Sequence, residues 1–342
     1  MDVVDTISAR TAAWPRAVPA TPVRFAAALC VFVAAAAIVA GLAPIQMSVA
    51  VVFLFAGPHN WIEFRYLLSR VPARWGRSRT YFSVAVAGAV LLTCGYALVP
   101  RLASGIGYGE PEWAVATALW DTIAVGWLVA LVRIHGRQVE RDTGWALPAG
   151  LLLVAAAWWA PFEWSLGLVY LHPLVALWFI DRELRRRPAW RTVFRAVVAC
   201  LPVVIGLLWI ALAKTPSIAG DDGVTLRITQ HAGAGLLPGI SSRLLVATHT
   251  FLETVHYGAW VLLMPVVGFR TAFWRASSVP LARRGAWFST GVQFALVAGA
   301  SMMLVLWICF SADYATTRDV YFTVAMLHVL AEAPFVIRAI GR

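Results

Sequence analysis

Three times in this chain a histidine is followed four residues later by a glutamate: His59 and Glu63, His249 and Glu253, His328 and Glu332. On an α-helix that spacing sets both side chains on one face. His256 follows His249 by seven residues, so His249, Glu253 and His256 form one stripe. His172 stands in the run Val169-Tyr170-Leu171-His172-Pro173. Several neutral imidazoles together with carboxylates make a metal-binding set. Histidine and carboxylate ligands with open positions suit one iron or a di-iron pair in oxygen chemistry, and zinc is also allowed. The candidate ligands are His59, His172, His249, His256 and His328. Glu63, Glu253 and Glu332 are the candidate catalytic carboxylates, acting as ligands or as outer bases that orient a liganding histidine through its other nitrogen. Asn60 and Tyr257 can serve in that outer role.

The elements that must position these residues are membrane spans. Of 342 residues, 61% are hydrophobic and 13% charged, against about 25% charged in a soluble domain. Long apolar runs recur from end to end, which predicts an all-α, polytopic transmembrane helix bundle in one membrane domain, residues 1–342. Ten spans fit: 25–43, 45–66, 80–100, 113–134, 145–161, 165–181, 192–213, 244–266, 287–310 and 320–340. The run Phe25–Leu42 reads as a retained span rather than a signal peptide. With both termini in the cytoplasm, 23 of the 28 Lys and Arg residues fall on the inner side and five outside, as the positive-inside rule requires. That pattern accounts for the net charge of +11 without nucleic acid as a partner. It also leads to the expectation of a cell membrane, specifically a bacterial inner membrane. The longest extramembrane segment, 214–243, is expected outside, as a flexible connector. Cys30, Cys94, Cys200 and Cys309 lie in apolar runs and read as buried free thiols. Several of the 17 tryptophans sit at span ends as interfacial anchors.

At a rise of about 1.5 Å per residue, His172, Glu253, His256, His328 and Glu332 fall within roughly 5 Å of mid-span. His59 lies roughly 6 Å toward the cytoplasm and His249 roughly 7 Å toward the outside. One shared site follows, with His256 and Glu253 ranked ahead of His249, and with His59 and His328 as their partners. A lone intramembrane histidine is ordinarily a helix-packing hydrogen bonder, and His135 and the loop residue His231 are read in that bland way, His231 as solvent-facing. Three His-x-x-x-Glu repeats in separate spans, with little other intramembrane charge, are harder to assign to packing alone. The sequence Gly57-Pro58-His59-Asn60 predicts a helix broken just before His59, aiming that imidazole inward.

The layout resembles the bacterial Brp/Blh-type β-carotene dioxygenases, multi-span proteins with histidine-bound iron. Gly57-Pro58-His59 is similar to their Gly-x-Pro-His element and Tyr170-Leu171-His172 to their Tyr-His element. His249 and His256 lie where their paired histidines would, and Leu327-His328 is similar to their last element. The departures are the glycine abutting the proline, Asn60 in place of glycine, and a spacing of seven with Glu253 between. The resemblance implies iron-dependent oxidation of a long polyene entering from the lipid.

Three functions fit these residues. The first is a membrane metalloenzyme that uses iron and O2 to oxidise, desaturate or cleave a lipid-soluble chain such as a carotenoid, a polyene polyketide or a fatty acyl group, with an electron-donor protein as partner. The second is a proton- or ion-coupled transporter working through the same His and Glu residues. The third is a haem-binding electron carrier.

Overall fold

The computed structural model describes residues 21–106, 109–220, 222–268 and 276–340, apart from the side chains of 100–106. Arg10, Arg16, Arg270, Arg275 and Arg342 of the charge count, and Asp221 of the outer loop, lie outside the described residues. The helices are α1 (Pro22–Leu42), α2 (Pro44–Arg70), α3 (Arg79–Ile106), α4 (Glu110–Gln138), α5 (Ala146–Trp159), α6 (Pro161–Leu171), α7 (Pro173–Glu183), α8 (Pro188–Leu212), α9 (Gly223–His231), α10 (Ser242–Val267), α11 (Ala286–Ala312) and α12 (Tyr314–Ile340). Among the described residues, nine segments are long and apolar enough to span a bilayer, α6 and α7 together forming one of them. The chain is therefore an all-α, multi-pass membrane protein. The fifth predicted span is α5, 14 residues and so about 21 Å long, short of the ~30 Å hydrocarbon core.

Among the long helices the most buried is also the least apolar, although α1, with the highest mean hydropathy of 2.6, is 33% buried. The least apolar, α10, has a mean hydropathy of 1.2 and is 72% buried, whereas α11 has 2.2 and is 11% buried. In lipid, apolar surface gains little by packing, while polar groups must find partners inside the protein. The helix carrying His249, Glu253 and His256 is thus driven to the centre, where α1, α2, α7, α8 and α9 pack around it.

Contacts at helix ends fix the direction of each helix. Phe25 stacks on Trp190, the Tyr66 hydroxyl donates to Glu183, Arg70 pairs with Glu183, and Arg338 lies over Phe82. The start of α1, the ends of α2 and α7, the starts of α8 and α3 and the end of α12 therefore share one face, which is rich in arginine. On the opposite face, Arg243 donates to the Leu42 carbonyl and Arg227 pairs with Asp319. The Tyr170 hydroxyl donates to the carbonyls of Ala232 and Leu245 near that face. Consequently α2, α6–α7, α10 and α12 all run the same way, toward the arginine-rich face.

Several local expectations change. Helix α2 is continuous through Pro58. The break falls instead at His172-Pro173, where α6 ends and Pro173 starts α7, since a proline ring clashes with the carbonyl four residues before it and offers no N–H. Gly57 serves close packing: an added Cβ would lie 3.2 Å from Cα of Met303 in α11. Within 214–243, residues Gly223–His231 are helical, and Asp222 caps them by accepting from the Val224 and Thr225 N–H groups. Hydrogen bonds from Thr225, side chain and backbone, hold the Asp222 carboxyl below its usual range. This segment buries Ile228 and Ala232 against Leu245 and Val246, so it is a packed cover rather than a loose connector. Cys30, Cys94, Cys200 and Cys309 are exposed on the protein surface, not buried, because an apolar run has a lipid-facing side as well as a bundle-facing one. Asp181, at the arginine-rich end, forms ion pairs with Arg191 and Arg195 at 2.8 and 2.6 Å.

The α2–α11 contact predicts that Gly57→Val lowers stability by about 1–3 kcal/mol, the usual cost of overpacking. Gly291→Ala in α11, where an added Cβ meets nothing within 4 Å, leaves the melting temperature of the purified protein unchanged or raises it.

Candidate metal centre

Each of the four parallel helices delivers one imidazole to a common level. His59 comes from α2, His172 from the break between α6 and α7, His256 from α10 and His328 from α12. Around the circle they form, ring centroids are 5.4 Å apart for His59–His256, 4.7 Å for His256–His172, 5.4 Å for His172–His328 and 5.2 Å for His328–His59. An imidazole bound at ~2.1 Å has its centroid roughly 3.2 Å from the ion, so ligands at octahedral or tetrahedral angles have neighbouring centroids roughly 4.5–5.3 Å apart. Two of the observed spacings, 4.7 and 5.2 Å, fall in that range, and the other two, at 5.4 Å, lie just above it. One ligand atom from each of His59, Glu63, His256 and His328 lies within 4.8 Å of the others. A shared ion asks for donor separations of roughly 3–4.2 Å, which small side-chain adjustments supply.

The orientation of His59 follows from local backbone. Its Nδ1 lies 3.1 Å from the Phe55 carbonyl, and a carbonyl only accepts, so Nδ1 carries the proton. The lone pair then resides on Nε2, which is buried and has no hydrogen-bond partner. His172 Nδ1 faces Glu332 Oε2 at 3.4 Å, again leaving Nε2 without a partner. A carboxylate behind a histidine in this manner fixes the tautomer and raises ligand basicity. Directly after this level α10 makes a π turn, Ala259–Leu263, a feature that recurs at functional sites.

Glu63 and Glu332 sit one turn beyond His59 and His328, on the arginine-rich side. Glu63 is 0% exposed with both oxygens unpartnered, and Glu332 is 2% exposed with Oε1 unpartnered. Among the described residues no Arg or Lys pairs with either. Burying such groups without a counter-charge is expensive. One divalent cation balances two carboxylates, so the set fits a metal by charge, and the donor atoms within 4.8 Å of one another are those of His59, Glu63, His256 and His328, with His172 outside that group.

The third His-x-x-x-Glu pair lies elsewhere. In α10 the imidazole at the common level is His256, so Glu253 precedes it and points toward the opposite face. Glu253 accepts from the Tyr257 hydroxyl at 3.1 Å, and Arg318 is in electrostatic range. His249 is two turns, about 10.5 Å, from His256 along the helix, and its ring neighbours are Tyr170 at 5.7 Å and His231 at 5.0 Å. His231 is therefore packed against His249 and Phe322 and only partly exposed, rather than fully facing solvent. Tyr257 stacks on His59 at 4.3 Å, and Asn60 donates to the Tyr321 hydroxyl at 3.3 Å. Arg318 and Tyr321 carried no motif in the sequence; their signal was only an arginine and a tyrosine inside an apolar run.

No family model matches this chain, and no curated protein or solved structure is significantly similar to it.

Adding Fe2+ or Co2+ anaerobically is expected to raise the melting temperature by several degrees, about 2.7 kcal/mol at a hundred times Kd. Glu63→Gln keeps the shape of the side chain but takes away the carboxylate that a cation would pair with, so it shrinks that rise. Thermal unfolding with and without metal measures both.

Proposed function

We propose that the protein is an integral membrane metalloenzyme that oxidises, desaturates or cleaves a long apolar chain with O2. The observation that carries this reading is the closed ring of four imidazoles backed by two buried, cation-free carboxylates. His59, His172, His256 and His328 would hold one divalent iron, with zinc as the other ion the donors accept. Glu63 is a further ligand or a base at its edge, and Glu332 orients His172. Bound iron supplies the one-electron chemistry that O2 requires. The protein excludes water, fixes the ligands and binds the substrate beside them.

The substrate class follows from the open side of the ring. His172 keeps 20% of its side chain accessible, and His328 is also partly accessible. Their neighbours on α6–α7 and α12, Leu171, Leu174, Val324 and Leu327, are exposed and apolar. A lipid-soluble chain such as a carotenoid, a polyene polyketide or a fatty acyl group can approach there from the bilayer. The resemblance in layout to bacterial β-carotene dioxygenases agrees with such a substrate. The ring weighs against haem, because with any two imidazoles as axial ligands the other two occupy the plane a porphyrin needs. By the positive-inside rule the arginine-rich face is cytoplasmic, both helix-bundle ends with it. A bacterial inner membrane, and an electron-donor protein meeting that face, complete the reading.

Elemental analysis and an absorption spectrum of detergent-purified protein test it. Non-haem iron near one per chain is expected, falling about tenfold or more in His256→Ala and His328→Ala, as loss of a ligand entails. Consumption of O2 with a carotenoid or unsaturated acyl chain is the activity readout. A metal-free protein that drives solute flux under a pH gradient would overturn the proposal.

A further inference from the structure

The histidine ring is not equally enclosed on its two sides. Toward the arginine-rich face, one to two turns beyond the ring, Tyr66, Phe179 and Trp260 pack as a triad with centroid separations of 5.6, 5.6 and 5.8 Å. All three are buried, and the Tyr66 hydroxyl turns away to Glu183. They form an aromatic floor beneath Glu63 and Glu332. Toward the opposite face the sequence of side chains is polar. It begins at His231 on the covering helix α9 and passes to His249, 5.0 Å away between ring centroids. One helical turn on is Glu253, which accepts from the Tyr257 hydroxyl at 3.1 Å. The Tyr257 ring lies on His59 at 4.3 Å. Glu253 Oε2 is buried without a hydrogen-bond partner, as is the Thr250 hydroxyl beside it. A polar file at this depth is costly in a membrane protein and marks a conduction or relay path more often than a packing device.

We propose that His231, His249 and Glu253 form a proton route from the opposite face to the edge of the histidine ring, closed on the arginine-rich side by Tyr66, Phe179 and Trp260. A proton taken from water at one nitrogen of His231 allows release of another from its second nitrogen. His249 repeats this, and Glu253 takes the proton up at its unpartnered Oε2 and releases it to water on the ring side. Each group ends as it began, and the net change is one proton moved inward. The charged and titratable neighbours are accounted for. Arg318 faces His231, His249 and Glu253, and its charge offsets that of Glu253. Tyr170 borders His249, while Tyr314 and Tyr321 border Glu253. Reduction of O2 consumes protons, and that use of the route rests on the oxygen-chemistry reading; the route itself does not.

The test uses metal-free full-length protein in sealed lipid vesicles with a pH-reporting dye inside and an acid jump outside. Wild type is expected to leak no faster than protein-free vesicles, because the floor holds. Phe179→Ala with Trp260→Ala opens the floor and raises proton influx about tenfold or more, while adding Glu253→Gln to that background restores the wild-type rate to within about twofold. Trp260→Ala alone gives an intermediate rate and serves if the double variant does not fold, as judged by helical circular dichroism and elution volume. Influx that fails to appear in folded floor variants, or that Glu253→Gln leaves undiminished, overturns the route. Because no metal is present, absence of iron binding would defeat the enzyme reading and leave this result standing, and the reverse also holds.

Discussion

Two carboxylates buried at membrane depth without a cation are the constraint around which this molecule is arranged. Glu63 and Glu332 cannot be left facing lipid, and no arginine or lysine reaches them among the described residues. Their helices must therefore point inward, which also points His59 and His328 inward because each pair shares a helical face. Once α2 and α12 are so oriented, α10 has to offer them a polar wall, and it is the most buried and least apolar of the long helices. The lipid-facing shell, α11 and α8 foremost, carries no such obligation and is correspondingly apolar. Polar satisfaction rather than apolar burial sets the order of the bundle.

Much of this was legible beforehand. The spans follow from hydropathy, and the three His-x-x-x-Glu pairs are visible by inspection. The grouping was less so, because it depends on which imidazole of α10 lies level with the others. Depth estimates placed Glu253 and His256 together, yet a helix running toward the arginine-rich face sets Glu253 before His256 and so on the other side. The helix break that Gly57-Pro58 leads one to expect before His59 falls instead at His172-Pro173. Both sequences contain a proline, and only tertiary packing decides which helix continues through it. The cysteines illustrate the same limit, since hydropathy reports that a helix is in the membrane but not which of its sides meets lipid.

The division between the ring and the file beyond it rests on helix polarity. Four helices that run in parallel place every residue four positions after a ring histidine on one side, where Glu63, Glu332 and Trp260 are found, and every residue before it on the other. Two chemically different surroundings thus flank one layer of imidazoles: carboxylates over an aromatic floor on one side, and histidine, glutamate and tyrosine leading outward on the other. An antiparallel arrangement would have mixed them.

The four ring histidines are spread from position 59 to position 328 of a 342-residue chain. During synthesis the first is in the membrane long before the last has left the ribosome, so no subset of early helices contains the complete ring. Its closure coincides with docking of α12 against α2 and α3. Assembly of the centre therefore waits on α12, and a chain cut short before α12 would have a membrane bundle but an open ring.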